Sequence, residues 1–381
     1  MIRVLHFAGL INRYDFIDSV LTKLDRDKFE VSALTLEPPN NRTGKYAPNE
    51  EYETTCLNIR LNVRSARSVF AALVRRIRQF RPDILQAHHY NESLIAALAS
   101  RYTGVPVFVI GHHYSDHIYQ LTRGPKRRFY LTGEAIANYF ADKIVVPSQE
   151  VVDLLGRRGD IKNKIVKIPY GTDVTMVTSV DPSEAERLRT EYGLQGKFVG
   201  LTTCRLNKEK GLEHLIHAVD SIRHRFPQFR LIMAGSGREE DFLRSLVTRL
   251  GLDDVVKFIG WRTDTLNWIV ASDLVFQPSI SESFCQVLVE SLLLERPIVM
   301  TPVGAGPEVI VNGERGGYLV PIGSSAAIAD AICRAIEFAD ERHELALRGK
   351  EFVQTHYTTE VTAGMYEEMY LASARANGLT V

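Results

Sequence analysis

No stretch of this chain stays apolar for the ~20 residues that a membrane-spanning helix requires. Cysteine is scarce, four in 381 residues, and Cys56, Cys204, Cys285 and Cys333 are too scattered for paired disulfide or metal spacings. That argues against a disulfide-stapled secreted scaffold and a zinc module, and leaves reduced thiols in a cytosolic protein as the expectation. The N-terminus lacks the charged region and cleavage site of a secretory leader, because Met1 runs straight into the strand pattern IRVLHFA. Net charge is missing too. Lys plus Arg and Asp plus Glu both number 46, so the charge of the whole molecule does not suggest a nucleic-acid partner. The expectation is a soluble or peripheral protein of the cytoplasm, touching at most the inner face of a membrane.

What is present is an ordinary globular composition, 45% hydrophobic and 24% charged, over a length that favours two domains. The charge is unevenly spread. Residues 1–175 carry 25 Lys and Arg against 18 Asp and Glu, a balance of +7 that the remainder cancels. A basic first half suits an anionic acceptor or anionic lipid, and it equally suits a chance partition of solvated charge.

Short apolar runs alternate with helical patterns throughout. Residues 2–8, 30–36, 83–88, 105–112, 143–148 and 164–170 read as strands, several of them near-continuous Val, Ile and Leu, as parallel strands buried on both faces require. Helical stretches at 64–80, 91–103 and 126–141 lie between them. The pattern breaks across 171–182 and starts afresh with strands at 198–204, 230–235, 255–260, 274–279, 297–301 and 317–320. Helices near 211–224, 238–250, 284–294 and 324–339 separate these, and 341–354 and 359–376 close the chain. The fold class is α/β, two doubly wound Rossmann-like domains over 1–175 and 176–359 with a cleft between them. Ligands in such sheets bind beyond the carboxyl ends of the strands.

At one strand end stands SISESFCQVLVESLLLERPIVMT. Glu282 sits in the loop, a helix is expected from about Phe284 with Ser281 or Ser283 as cap, and its free amides make an anion site. Glu290 follows eight residues on, which along a helix is a rise of roughly 12 Å on a similar side. One acid could reach a sugar and the other a ribose, with a diphosphate between. Glu290 could also be a satisfied helix carboxylate, but Leu288, Val289, Leu292 and Leu293 around it are apolar, and a carboxylate there needs partners. In TTCRLNKEKGLEHL, Arg205 and Lys210 precede a helix and suit two diphosphate charges, with Lys208 a rival for Lys210. Gly235 and Gly237 follow another strand and allow close backbone approach. Arg262 falls at the same edge, and Gly9 follows the first strand as a contact or a turn. His112 and His113 end a first-half strand, where an imidazole can meet a sugar hydroxyl or a phosphate. His88, His89, His112, His113 and His117 could gather a metal, but no acidic or Cys ligands accompany them in a known spacing.

Taken in order, these motifs resemble the family 4 retaining glycosyltransferases of the GT-B fold. The signature Glu-x7-Glu is Glu282 to Glu290, and the likeness extends through RLNKEKG, MAGSGREEDF, ASDLVFQPS, NGERGGYLV, ADKIVVPSQEVVDLL and KIPYGTD. The resemblance implies that Glu282 contacts donor-sugar hydroxyls, with the amides of Phe284 and Cys285 near sugar and diphosphate. It puts Glu290 on the ribose, Arg205 and Lys210 on the diphosphate in place of a metal, Arg262 at the base, and His112 near the transferred sugar. It implies no cofactor beyond a nucleotide-sugar co-substrate, UDP-linked by family frequency, and a sugar, polysaccharide or lipid-linked acceptor. It also implies that 360–381 returns to the first, acceptor-binding domain. Ser283 and Cys285 stand where many relatives have glycine, and Gly9 is what remains of a glycine pair. The alternatives are a UDP-sugar epimerase of the same fold and a sugar-nucleotide-binding protein without turnover. On the acceptor side, RSARSVFAALVRRIRQFR (64–81) is either a membrane-surface helix or a Rossmann helix with its apolar face on the sheet, and 123–130 adds a basic patch.

Overall fold

The computed structural model describes residues 1–12, 15–38, 51–113, 123–157 and 161–379. The chain forms two units, Met1–Gly171 with Thr358–Val381, and Thr172–Tyr357. These limits lie a few residues from the divisions drawn at 175/176 and 359/360.

The first unit is built on seven parallel strands: β1 Ile2–Ala8, β2 Phe29–Thr35, β3 Glu53–Cys56, β4 Ile84–His88, β5 Val107–Gly111, β6 Lys143–Val146 and β7 Ile165–Lys167, in spatial order β3-β2-β1-β4-β5-β6-β7. The inner strands are largely apolar on both faces because both are covered, with His6, Gln86 and His88 buried polar exceptions on one of them. Leu5 and Phe7 of β1 pack in one core with Leu73, Ile77 and Phe80. Val4 and Ala8, pointing the other way, pack with Tyr366, Met369 and Tyr370. The last three belong to the helix Thr359–Ala376, which closes the second face. Helix Ala66–Phe80 buries Val69, Leu73, Val74, Ile77 and Phe80. Each such side chain gains about 1.5–3 kcal/mol on leaving water. Its apolar stripe is therefore spent on the sheet, and of the two readings of 64–81 the Rossmann helix holds.

The second unit has six parallel strands, β8 Phe198–Thr203, β9 Phe229–Ala234, β10 Val256–Gly260, β11 Leu274–Gln277, β12 Ile298–Met300 and β13 Gly317–Leu319, in the order β10-β9-β8-β11-β12-β13. In each sheet the winding reverses once, between β1 and β4 and between β8 and β11. Adjacent connections there leave to opposite faces and open a crevice at the carboxyl ends, the usual ligand position of open α/β sheets.

Several elements had no counterpart in the sequence reading. The strand β3 (ETTC) is at the sheet edge and half exposed, so it lacks an apolar run. Helix Phe16–Lys23 is one short element capped by Asp15, whose side chain accepts from the amide of Asp18. Helix Pro182–Glu191 occupies part of the apparent break, with Asp181 as cap and Pro182 at its first turn.

Candidate active site

The reversal between β8 and β11 brings two loops together. After β8 come Cys204 and Arg205, then a single 3-10 turn Lys208–Lys210, and Gly211, at φ +61°, hands the chain to helix Leu212–Ile222. After β11 the chain runs through Pro278 and Ser279, and the amide of Ile280 donates to the carbonyl of Glu209 at 2.7 Å, tying the loops to each other.

Across that tie Lys210 Nζ lies 2.6 Å from Glu282 Oε1, with both side chains almost enclosed. The same carboxylate oxygen accepts from Gln277 Nε2 and from Ser279 Oγ, each at 2.7 Å. Ser279 is held in turn, since its carbonyl accepts from Thr301 Oγ1 at 2.5 Å. Burial alone would push the Lys210 ammonium down, but attraction to Glu282 and the hydrogen bond that Lys210 donates to it outweigh burial and hold the group above its ordinary value. Glu282 is thus fixed by three donors on Oε1, leaving Oε2 clear of these bonds. Lys210 spends one of its three N–H donors on Glu282. Of the two rival lysines, Lys210 is the one paired with the acid, while Lys208 and Arg205 are exposed at the rim.

Helix Gln286–Leu293 begins later than the sequence suggests, and its cap is Cys285, not Ser281 or Ser283. Cys285 has φ +83° and makes no side-chain capping bond. A branched or polar cap gives way here to a left-handed turn, which swings the chain between the buried Phe284 and the helix. Because 282–285 is not helical, the helical rise does not set the separation of Glu282 and Glu290. Glu290 is half buried on the helix and already engaged within the protein. Burial pushes the Cys204 thiol up to about 11 and the Cys285 thiol up as well, so neither is a reactive thiolate.

The glycines expected to approach a ligand approach protein. A β-carbon on Gly235, at φ +143°, would stand 1.9 Å from the carbonyl oxygen of Cys204, and one on Gly237 would stand 2.3 Å from that of Leu206. They allow the exit of β9 to lie against the exit of β8. Arg262 is locked to Asp264 by two bonds, 2.7 Å from Nε and 2.5 Å from Nη2. The Asp264 hydrogen bond raises Arg262 above its ordinary value.

In the first unit, a β-carbon on Gly9 would lie 2.7 Å from Glu92 Oε1, so this glycine makes room for a buried carboxyl. His112 is fully enclosed, its Nε2 3.0 Å from Glu134 Oε1 on helix Gly124–Phe140. That differs from the expectation of an imidazole presented at the strand end. Alternation along β5, carried past Gly111, sends Phe108, Ile110 and His112 to the face covered by helix Gly124–Phe140 and His113 to the opposite face. Among the described residues no three His, Cys, Asp or Glu side chains are grouped to hold a metal ion; His117 lies outside them. Gln277 and Ser279, which orient Glu282, were not read from the sequence. Their signal was a polar amide closing the otherwise apolar run LVFQ.

Two family models divide the chain. Residues 16–176 match the model described as Glycosyltransferase Family 4, and residues 184–352 match Glycosyl transferases group 1. The putative glycosyltransferase EpsD of Bacillus subtilis is 27% identical over 70% of each chain. The D-inositol 3-phosphate glycosyltransferase of an Arthrobacter strain is 29% identical over 68% of this chain and 65% of its own. Among solved structures, HepE of Anabaena in complex with UDP superposes with a TM-score of 0.81 at 22% identity, covering 98% of this chain and 100% of that one, a likeness of fold.

Proposed function

This chain belongs to the family 4 glycosyltransferases, and on that premise we propose that it moves a hexosyl or N-acetylhexosaminyl group from a UDP-sugar to a hydroxyl acceptor with retention. The observation that carries the proposal is the Lys210–Glu282 pair, held by Gln277 and Ser279 at the strand reversal of the second unit. In this scheme Glu282 Oε2 accepts from a hydroxyl of the donor sugar, and the remaining Lys210 donors, with Arg205 at the rim, take the diphosphate. Glu290 holds the ribose, the amides of Phe284 and Cys285 face the sugar and diphosphate, and Arg262 lies at the base. The bond from the anomeric carbon to the diphosphate breaks as the acceptor oxygen bonds to that carbon on the same face. The acceptor's proton passes to the departing phosphate oxygen. Cations already in place stabilise that oxygen without reorganisation, the usual source of a large rate gain. His112 makes no direct contact in this scheme. The UDP in the HepE complex, seen in that protein, supports the choice of base. The first unit takes the acceptor, in polysaccharide or glycolipid assembly, at an anionic membrane face.

The test is thermal unfolding with UDP, GDP and a panel of their sugars. UDP at a hundred times its Kd should stabilise the wild type by about 2.7 kcal/mol. Lys210→Ala and Glu290→Ala should lose that protection. Protection surviving in both variants would remove the site, and protection by GDP alone would remove the base assignment.

A further inference from the structure

The first unit holds, at its own strand reversal, a carboxyl that the transfer scheme leaves unused. Helix Tyr90–Thr103 follows β4 directly, with His89 as its cap at φ +66° and no side-chain capping bond. Glu92 stands at the third position of that helix, where a glutamate ordinarily reaches back to the cap amide and closes a capping box. Here the cap amide is taken, because His89 donates it to the carbonyl of Gly111 at 3.2 Å. Glu92 is thereby released from the usual duty of its position. Its side chain lies instead over the exit of β1, where a β-carbon on Gly9 would stand 2.7 Å from Oε1. The Gly9 carbonyl accepts from the amides of Leu36 and Glu37 at 3.2 and 2.9 Å, so the exits of β1 and β2 meet beside it. The winding of the sheet reverses between β1 and β4, and Glu92 sits at that reversal, at the carboxyl ends of the strands.

The setting is costly for an acid. Glu92 is 8% exposed. Burial above all raises its carboxyl to about 7, and Glu37 adds repulsion. Among the described residues the carboxyl takes one hydrogen bond, from its own amide, and no Lys or Arg offsets its charge. Burying a charge without such compensation opposes folding, and an acid so perturbed at a ligand-binding edge marks a functional site. Ionised, the group has two oxygens that accept and nothing that donates. A ligand that completes it brings donors, while phosphate or carboxylate oxygens are repelled at this point. Neighbouring hydroxyls of an uncharged sugar bring two donors to the two oxygens.

We propose that Glu92 is an acceptor-binding residue of the first unit, its carboxylate taking hydrogen bonds from hydroxyls of a neutral sugar. The proposal rests on the transferase reading, in which the first unit takes the acceptor. It adds that the acceptor is an uncharged sugar where it meets Glu92, whatever it carries elsewhere.

The test sets sugar against water as acceptor in one tube. The full chain is given UDP-glucose at pH 8 with methyl glycosides of glucose, galactose, mannose and N-acetylglucosamine in turn, and transfer to the glycoside is divided by glucose released to water. This ratio does not depend on the folded fraction, so a variant that folds less completely still reports. The wild type should transfer to at least one glycoside. Glu92→Gln, which keeps the shape and removes the charge, should lower that ratio about tenfold, the worth of a hydrogen bond to a charged group. Monodeoxy forms of the same glycoside complete a double-mutant cycle. Deleting a hydroxyl that Glu92 holds should cost the wild type a similar factor and the variant almost nothing more. An unchanged ratio in Glu92→Gln would overturn the proposal, as would losses that multiply for every deoxy form. UDP release to water with transfer to none of the glycosides would overturn the Glu92 site and leave the transferase reading standing. No UDP release under any condition would remove the transferase reading, and this site with it.

Discussion

Lys210 and Glu282 are each expensive to bury alone, and each is almost enclosed. Together, with Gln277 and Ser279 completing the carboxylate's partners, they form a charged pair that the loops can hold in one geometry. Cys285 is the companion feature. A non-glycine residue at φ +83° carries roughly 1–2 kcal/mol of strain, and here it sits between the acid loop and the helix that bears Glu290. Replacing Cys285 with glycine should relieve that strain and, despite the lost thiol packing, leave stability within about 1 kcal/mol of wild type. A β-branched valine, which fits a left-handed turn worse, should cost about 2 kcal/mol or more. Denaturant melts of the three proteins check this order; valine as stable as cysteine would show that the strain is absent. That Lys210 and Glu282 each follow a strand end was legible in the sequence; that they pair with one another was not. Nor were Gln277 and Ser279 legible, since an amide and a hydroxyl become specific only when a carboxylate comes within reach. His112 and His113 looked equivalent in the sequence, and only the alternation of a strand whose both faces are covered separates them.

Elements whose two faces are buried announced themselves: residues 2–8 were read as a strand and β1 is Ile2–Ala8. The edge strand β3 and the short helix Phe16–Lys23 did not, because half-exposed or brief elements carry too few apolar positions to set a period. Helix Ala66–Phe80 shows the limit in the other direction, for an amphipathic stripe looks alike whether a sheet or a lipid covers it. The proposed membrane contact fits helix Gly124–Phe140 better. Its exposed side chains include Phe129, Ile136, Tyr139 and, at its margin, Phe140, and Arg123, Lys126, Arg127 and Arg128 are exposed around its start. Its one acid, Glu134, is buried against His112. Basic residues near an anionic surface contribute about 1 kcal/mol each. The protein should therefore float with vesicles containing anionic lipid and not with neutral ones. Reversing Lys126, Arg127 and Arg128 to glutamate should release it, and flotation indifferent to lipid charge would end the assignment.

At the scale of the molecule, buried ionisable groups make the first unit the one that acid attacks. His6, His88, His89 and His113 are all held below their ordinary values, chiefly by burial. Unfolding returns them to titration near 6.5. Below that pH the unfolded chain binds protons that the folded unit refuses, so the stability they contribute is present above 6.5 and lost as pH falls. Asp15 and Glu92 act the opposite way. Burial raises both to about 7, so between their unfolded values and 7 the folded unit holds protons that the unfolded chain has released. Their contribution is present in acid and lost as pH rises. Near pH 5.5 the three imidazoles held far down, His6, His88 and His113, oppose two carboxyls, a net uptake of about one proton on unfolding, which is a slope of about 1.4 kcal/mol per pH unit. Calorimetry from pH 6 to 4.5 should show the transition of the first unit moving down. Glu92→Gln removes one opposing group, so it should stabilise the unit at pH 8 and steepen the loss in acid. A transition indifferent to pH over this range, or a Glu92→Gln protein with the wild-type slope, would mean that these groups are not held in the folded unit as their burial implies.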